Sequence, residues 1–311
     1  MPPRVHVITI VGGAGVAILP RTLAHYQAMG VESFFVTIHL QALDKISVAR
    51  VREMAASCGI AIESVMIEPD PSRAARLTWE RIMRARPDDW FLPIDADEFQ
   101  VYPAGLLPTL ADCDARGYTY VNGGLVDRVS RDGTLAPLKL SEPVWSQYPL
   151  GGYITQPLLG GDPRKVVAVK GRVPLGVGHH IAFSDQGCPI ERHAVPVHHF
   201  KWVGTLIPYL EKRLRDYKRL DKPWWIESER GLRYFERQRG IDISDPEFLI
   251  APCDPHYAAW DRVVERLQRY GQPQDASEPV APPEPVEPRE PREQREPRDA
   301  SVLRAGYHGA S

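Results

Sequence analysis

The chain has 311 residues, is 43% hydrophobic and 25% charged, and carries a formal net charge of -2. That is globular composition, long enough for one large domain or two small ones, and its charge gives no electrostatic reason for a nucleic-acid partner. The four cysteines, Cys58, Cys113, Cys188 and Cys253, are scattered without zinc-ribbon or redox spacing, so they read as small buried residues in a reducing compartment rather than a disulfide framework.

The opening residues 1–6 show no charged segment followed by an apolar one, so no signal peptide is expected. No apolar run is long enough to span a bilayer. The expected location is cytoplasmic, with any membrane association made from the surface or through a partner. Val5 to Val11 suits a strand buried on both faces, and Gly12-Gly13-Ala14-Gly15 breaks it. Pro20 opens a helix through Met29 that Gly30 closes. Ser33 to His39 is the second predicted strand. Asp44 is the expected cap of a helix with Val48, Val51 and Met54 on one face and Gly59 as its stop. Ala61 to Ile67 is the third strand. Ser72 is the expected cap of a helix through Arg86, with Leu77, Trp79, Ile82 and Met83 turned inward. A fourth strand runs into Asp95. This alternation implies α/β class, with parallel strands, helices on both faces and ligands beyond the strands' carboxyl ends.

From Tyr118 to Val177 the chain is rich in Gly, Pro and aromatics, with short alternating runs at Tyr118 to Val121 and Lys165 to Val169. Short strands and long loops are expected there, forming a second half (101–270) beside the strand–helix half (1–100). Thr205 to Leu220 returns to helical spacing, with Leu206, Leu210, Leu214 and Tyr217 on one face and basic residues on the other. Pro255 to Tyr270 is a last predicted helix, with Trp260, Val263, Val264 and Leu267 inward. Residues 271–311 are rich in Pro, Glu and Arg, too poor in apolar side chains to offset their ordering entropy, and are expected to be disordered.

The stretch most charged with chemistry is Trp90-Phe91-Leu92-Pro93-Ile94-Asp95-Ala96-Asp97-Glu98-Phe99, an apolar strand running into three carboxylates. Strand alternation places Asp95 and Asp97 on one face about 7 Å apart, with Ala96 opposite. Such a pair invites a cation, and hard oxygen ligands suit Mg²⁺ or Mn²⁺. The bland alternative is a solvated strand end where acids mark a turn.

At Asp95-Ala96-Asp97-Glu98-Phe99 the chain resembles glycosyltransferases of the GT-A fold, in particular the family 2-like group with an Asp-x-Asp-Glu-Phe strand end. Leu19 to Val31 looks like that group's first helix. Gly124-Leu125-Val126-Asp127-Arg128 and Gly178-His179-His180 look like its middle segments, and His198-His199-Phe200-Lys201-Trp202 like its late histidine motif. The resemblance spans about residues 5–270 and implies a nucleotide-binding half (1–100) and an acceptor-side half (101–270). It implies a GT-A-type, Rossmann-like α/β/α sandwich with a mixed central sheet. It also implies a metal-dependent transfer of sugar, with inversion, from a nucleoside diphosphate sugar to a glycan or other hydroxyl-bearing acceptor. On this resemblance Asp95, Asp97 and a late histidine hold the metal. Asp95 also faces the donor, and Val11, Gly12 and His39 stand at the strand ends where the nucleotide is received. The group's acidic residues after the first and second strands are replaced here by Gly12-Gly13 and Thr37-Ile38-His39.

Half of the ten histidines fall between His179 and His199. His198 and His199 follow Val195-Pro196-Val197 and, as strand neighbours, face opposite ways, so one of them reaches the site; His199 is favoured. His180, after a flexible Gly-Val-Gly approach, and Asp185 are the candidates for the catalytic base. Arg73 and Arg76, early in the helix before the acidic strand, are candidates for the donor phosphates, against the plainer reading of a solvated helix face. Trp202, Trp224 and Trp225 are candidates for sugar stacking, against a role in the core. Two rival readings remain: a metal-dependent phosphohydrolase, which also uses Asp pairs and histidines, and a non-catalytic binding protein that keeps the fold.

Overall fold

The computed structural model describes residues 3–31, 33–40, 48–253 and 256–270, without the side chains of residues 13 and 14. The expected Asp44 cap, Pro255 and the tail 271–311 lie outside the described residues. The first part of the chain alternates strand and helix: β1 (Val5–Val11), α1 (Leu19–Ala28), β2 (Ser33–Leu40), α2 (Val48–Ser57), β3 (Ile62–Ile67), α3 (Pro71–Met83) and β4 (Trp90–Ile94). β1 lies between β2 and β4, parallel to both, and β3 adds parallel to β2. Every residue of β4 is buried, as a strand covered on both faces requires. The register pairs Thr9 of β1 with Ile94 of β4, so the carboxyl ends of these strands emerge along one edge.

Two local expectations are corrected here. The cap of α3 is Asp70, not Ser72: its carboxylate accepts the Ser72 N–H at 3.0 Å. Pro71, with its fixed φ, takes the first helical position, which moves the cap back two residues. Leu77 is 41% exposed rather than inward, because Ala74, Thr78, Trp79, Ile82 and Met83 fill the buried face.

The rest of the chain is built from β5 (Glu98–Gln100), α4 (Leu106–Ala115), β6 (Tyr120–Val129), α5 (Val144–Gln147), β7 (Leu150–Gly152), β8 (Arg164–Lys170), β9 (Gly187–Cys188), β10 (Val195–His199), α6 (Leu206–Arg219), α7 (Trp225–Phe235), β11 (Ala251–Pro252) and α8 (Trp260–Arg269). β8 runs antiparallel to both β4 and β6, joining the parallel strands to the second set. The main path is β11-β7-β6-β8-β4-β1-β2-β3, with β10 paired to β5 and β6, and β9 to β6. The fold is therefore mixed α/β, with a curled central sheet and packed helices, as expected. β6 is ten residues long, much longer than the run at Tyr118 to Val121, and α4 and α7 fall where the sequence reading assigns no helix.

α6 buries Leu206 and Leu210, while Leu214 and Tyr217 are half-buried. α8 buries Val263 and Leu267, with Trp260 and Val264 half-buried. Leu267 lies directly against Gly124 and leaves no room there for a Cβ, so a glycine in β6 is what lets α8 approach. Among the described residues no helix is long and apolar enough to cross a membrane.

Candidate metal and nucleotide site

β4 carries the chain to Ile94, and Asp95 stands just past the last paired residue. The chain then turns through Ala96 and Asp97 before entering β5. The Glu98 N–H donates to the Asp95 carbonyl at 3.1 Å, and the Asp95 N–H to Glu98 Oε2 at 3.3 Å. Helix α1 clamps the turn from one side: Thr22 Oγ1 donates to the Ala96 carbonyl, and the Tyr26 hydroxyl to that of Glu98 at 3.2 Å. From the other side the Phe200 N–H donates to the Asp97 carbonyl at 2.9 Å. Because the strand stops at Ile94, the two-residue alternation expected through Asp97 does not hold, and Asp95 and Asp97 take different partners.

Asp95 joins a group made with β8 and the tip of a hairpin. Lys165 Nζ lies 3.0 Å from Asp95 Oδ2 and 2.6 Å from Glu98 Oε1, and donates to the Gly178 carbonyl at 3.2 Å. Its side chain is 5% exposed and that of Glu98 is 1%, against 53% for Asp95. His179 Nε2 lies 3.5 Å from Asp95 Oδ1. His179 is buried with φ 46°, directly after Gly178 at φ 65°, a left-handed backbone that costs free energy in a non-glycine residue. Surrounding protein pushes the Asp95 carboxyl up, but the Lys165 ammonium and His179 outweigh it and hold the group well below the usual carboxylate range. The cation drawn by these acids is, in part, a lysine of the chain itself.

Asp97 belongs to a second group. His199 Nε2 is 3.8 Å from Asp97 Oδ2, and the opposite nitrogen, Nδ1, donates to Asp127 Oδ1 at 3.1 Å. Asp127 is fully buried in β6 and also accepts the N–H groups of Ile154 and Thr155 at 3.0 and 2.6 Å and the Thr155 hydroxyl at 2.8 Å. Burial alone would raise the Asp127 carboxyl; the bond from His199 reverses this and leaves it lowered. Burial lowers His199, but its bond to Asp127 and the charge of Asp97 carry it above the ordinary imidazole value. His198, its neighbour, faces the other way into the Trp145 and Arg128 side chains. Among the described residues Asp95, Glu98 and His179 place ligand atoms within 4.8 Å of one another. The expected trio of Asp95, Asp97 and His199 forms no such group among the described residues; Asp97 pairs with His199, and Asp95 with Lys165 and His179.

The hairpin 174–183, closed by Gly176–Ile181 and Phe183–Pro174 backbone bonds, brings His180 to this end of the sheet. Its Nδ1–H donates to the Arg164 carbonyl at 2.6 Å, so Nε2 keeps its lone pair. Burial, with Lys165 and His179 nearby, pushes His180 well below the usual imidazole range. Asp185 is not brought to the site. It lies between Ser184 and Gln186, which bond to Thr119 just before β6, where β6 meets the start of β4 through β8. That is the opposite end of the sheet from Asp95.

The ends of β1 and β2 lie close together. Val11 is buried, and a Cβ on Gly12 would lie 2.7 Å from the His39 carbonyl, so close strand packing is what requires glycine there. The His39 ring is turned to the Glu68 carbonyl at 2.7 Å. Arg73 is paired with Glu68 at 3.6 Å, whereas Arg76 is exposed. Lys222, after α6, reaches the α3 cap Asp70 at 2.8 Å. Burial and the nearby Arg213 guanidinium push Lys201 down to about 8, while Arg213 is bonded to Glu227 at 2.7 Å. Of these, Lys165, Asp127 and Lys201 were not candidates from sequence. Asp127 and Lys201 sit inside the motifs of the resemblance, and a lysine inside an apolar strand was the one local sign of Lys165.

No protein-family model and no curated protein matches the chain. Among solved structures, S. aureus TarS 1-349 in complex with UDP is 9% identical over 76% of this chain and 73% of that chain, with a TM-score of 0.36. A putative glucose-1-phosphate thymidylyltransferase from Bacillus anthracis in complex with a sucrose is 8% identical over 86% and 96%, with a TM-score of 0.29. An apo UDP-glucose pyrophosphorylase is 10% identical over 67% and 98%, with a TM-score of 0.30. Likenesses this slight decide nothing about chemistry.

Proposed function

We propose that the chain is a metal-dependent glycosyltransferase of the GT-A type that uses a nucleoside diphosphate sugar donor and a hydroxyl-bearing acceptor. The observation that carries the reading is the Asp127–His199–Asp97 arrangement beyond the carboxyl edge of the sheet. A buried carboxylate fixes His199 Nδ1 as a donor and turns Nε2 toward Asp97 at 3.8 Å, as in the carboxylate–histidine–metal triads that orient a ligating imidazole. The donor set fits Mn²⁺ or Mg²⁺, which take one or two carboxylates and complete their shell with water and phosphate oxygens. Asp97 and His199 would hold the ion. When bound, it would supply charge to a departing diphosphate.

The remaining roles fall to the chain's own residues. Lys165 holds Asp95 at the mouth of the site, where its exposed edge is placed to meet a donor hydroxyl. Lys201 and Arg213 supply positive charge beside Asp97 for the diphosphate. His180, kept neutral with Nε2 free, is placed to accept the acceptor's hydroxyl proton as the sugar is displaced with inversion. The reading is tested by thermal stabilisation with UDP or GDP plus Mn²⁺, followed by a screen of nucleotide sugars for Mn²⁺-dependent hydrolysis. Stabilisation and turnover that both disappear in Asp97→Ala support it. Hydrolysis of simple phosphoesters without donor cleavage would favour a phosphohydrolase, and metal-dependent binding without turnover on any acceptor a binding protein.

A further inference from the structure

A second cluster lies at the opposite end of the sheet. Cys113, near the end of α4, and Cys188, in β9, are both buried, at 0% and 3% exposure. With His193 from the segment leading into β10, they place two sulfur atoms and a ring nitrogen within 4.8 Å of one another. The three come from separate elements, which is why no local cysteine spacing announces them. His193 is itself held: its Nε2–H donates to Asp112 Oδ2 at 2.9 Å. Asp112 is fixed in turn by Arg192 at 2.6 and 2.8 Å and by Arg116 at 3.1 Å.

We propose that Cys113, Cys188 and His193 form a structural site for a thiophilic divalent cation, zinc above all, stapling α4 to the β9–β10 connection. Two thiolates and an imidazole are a zinc donor set, and metal–sulfur bonds near 2.3 Å put tetrahedral sulfurs about 3.8 Å apart. The observed spacing closes to that with an adjustment of about 1 Å at most. On binding, both thiols release their protons to solvent and the imidazole binds neutral. A Cys113–Cys188 disulfide is the rival, but it would give no role to a histidine backed by a carboxylate that two arginines hold in place. That backing orients a ligating imidazole. The site is independent of the carboxylate centre, which offers no thiolate.

The test is a Co²⁺ titration of the reduced, metal-free full chain, isolated under nitrogen. One equivalent should produce a thiolate-to-cobalt charge-transfer band with intense tetrahedral ligand-field bands, both displaced by Zn²⁺. The bands should vanish in Cys188→Ala and persist in Asp97→Ala, which separates this site from the one proposed above. Asp112→Asn, at a partly exposed position, should weaken cobalt binding about 10- to 100-fold with an unchanged circular dichroism spectrum. That variant keeps the proposal testable if the cysteine variant does not fold. Folded wild-type protein without a thiolate–cobalt band would overturn the proposal, as would a Cys113–Cys188 disulfide in non-reducing peptide maps of the chain as isolated, before any reduction.

Discussion

The stretch from β1 to β5 and the stretch from β6 to β10 meet at one site but contribute to it in opposite ways. The first brings Asp95 and Asp97 in the turn just beyond a buried strand that follows directly from its own apolar run. The second brings the groups that govern them: Lys165 for Asp95 and Glu98, and His199 backed by Asp127 for Asp97. The lesson is that a carboxylate's role is set by what crosses the sheet to reach it, and that is long-range information.

The sharpest way to break this contrast is to remove a partner and leave the acids alone. Lys165→Met strips Glu98, 1% exposed, of its ion pair. An uncompensated buried charge costs about 3–5 kcal/mol, so urea unfolding should show a loss of that order, Asp95 adding little because it is half in solvent. A loss below about 1 kcal/mol would mean that Lys165 is not the resident cation of this pair.

Next in size is the metal side. Asp97→Ala or His199→Ala should lower Mn²⁺-dependent nucleotide affinity about 100-fold or more, and Asp127→Asn, which touches no ligand directly, about 10- to 100-fold. If calorimetry gives Asp127→Asn the same affinity as wild type, the orienting role of the second stretch fails. His180→Ala should reduce turnover by about 100-fold while leaving nucleotide binding within about twofold, the pattern of a proton acceptor rather than a binding group.

The smallest effect is a pH dependence. Lys201 has its folded value pushed down to about 8 from the ordinary 10.5. Below about 8 both folded and unfolded states carry the proton, and the full burial penalty is present. Between about 8 and 10.5 the folded state releases it first, so this residue's contribution to stability rises with pH. Lys201→Met should therefore be more stable than wild type at neutral pH, with the gain shrinking as pH climbs through that window. A gain independent of pH would show that lost packing, not charge, separates the two proteins.

How much could be read in advance divides along the same line. β1 to β4 followed from apolar runs broken by Gly12, Gly30 and Gly59, because a buried parallel strand and its crossover helix are written in local hydrophobicity. Local errors there were small: Ser72 for Asp70 as a cap, and Leu77 placed inward. Asp95 and Asp97 were visible as acids at a strand end, but the turn that parts them was not, since it depends on clamps from Thr22, Tyr26 and Phe200. Strand alternation showed that only one of His198 and His199 faces Asp97, but which one follows from the pairing of β10 with β5 and β6. Asp185 was misplaced because the hairpin 174–183 carries His180 to the site and then returns the chain to the far end, which no spacing reveals. Lys165 and Asp127 became legible only when β8 and β6 took their places beside β4.

The most direct measurement is titration calorimetry of Mn²⁺ into the folded, chelator-treated chain, with and without UDP or GDP. The account predicts uptake of one ion at the Asp97–His199 end, strengthened by nucleotide and lost in His199→Ala while Asp95 keeps its lysine. Heat indistinguishable from dilution, with nucleotide present as well as absent, would contradict it.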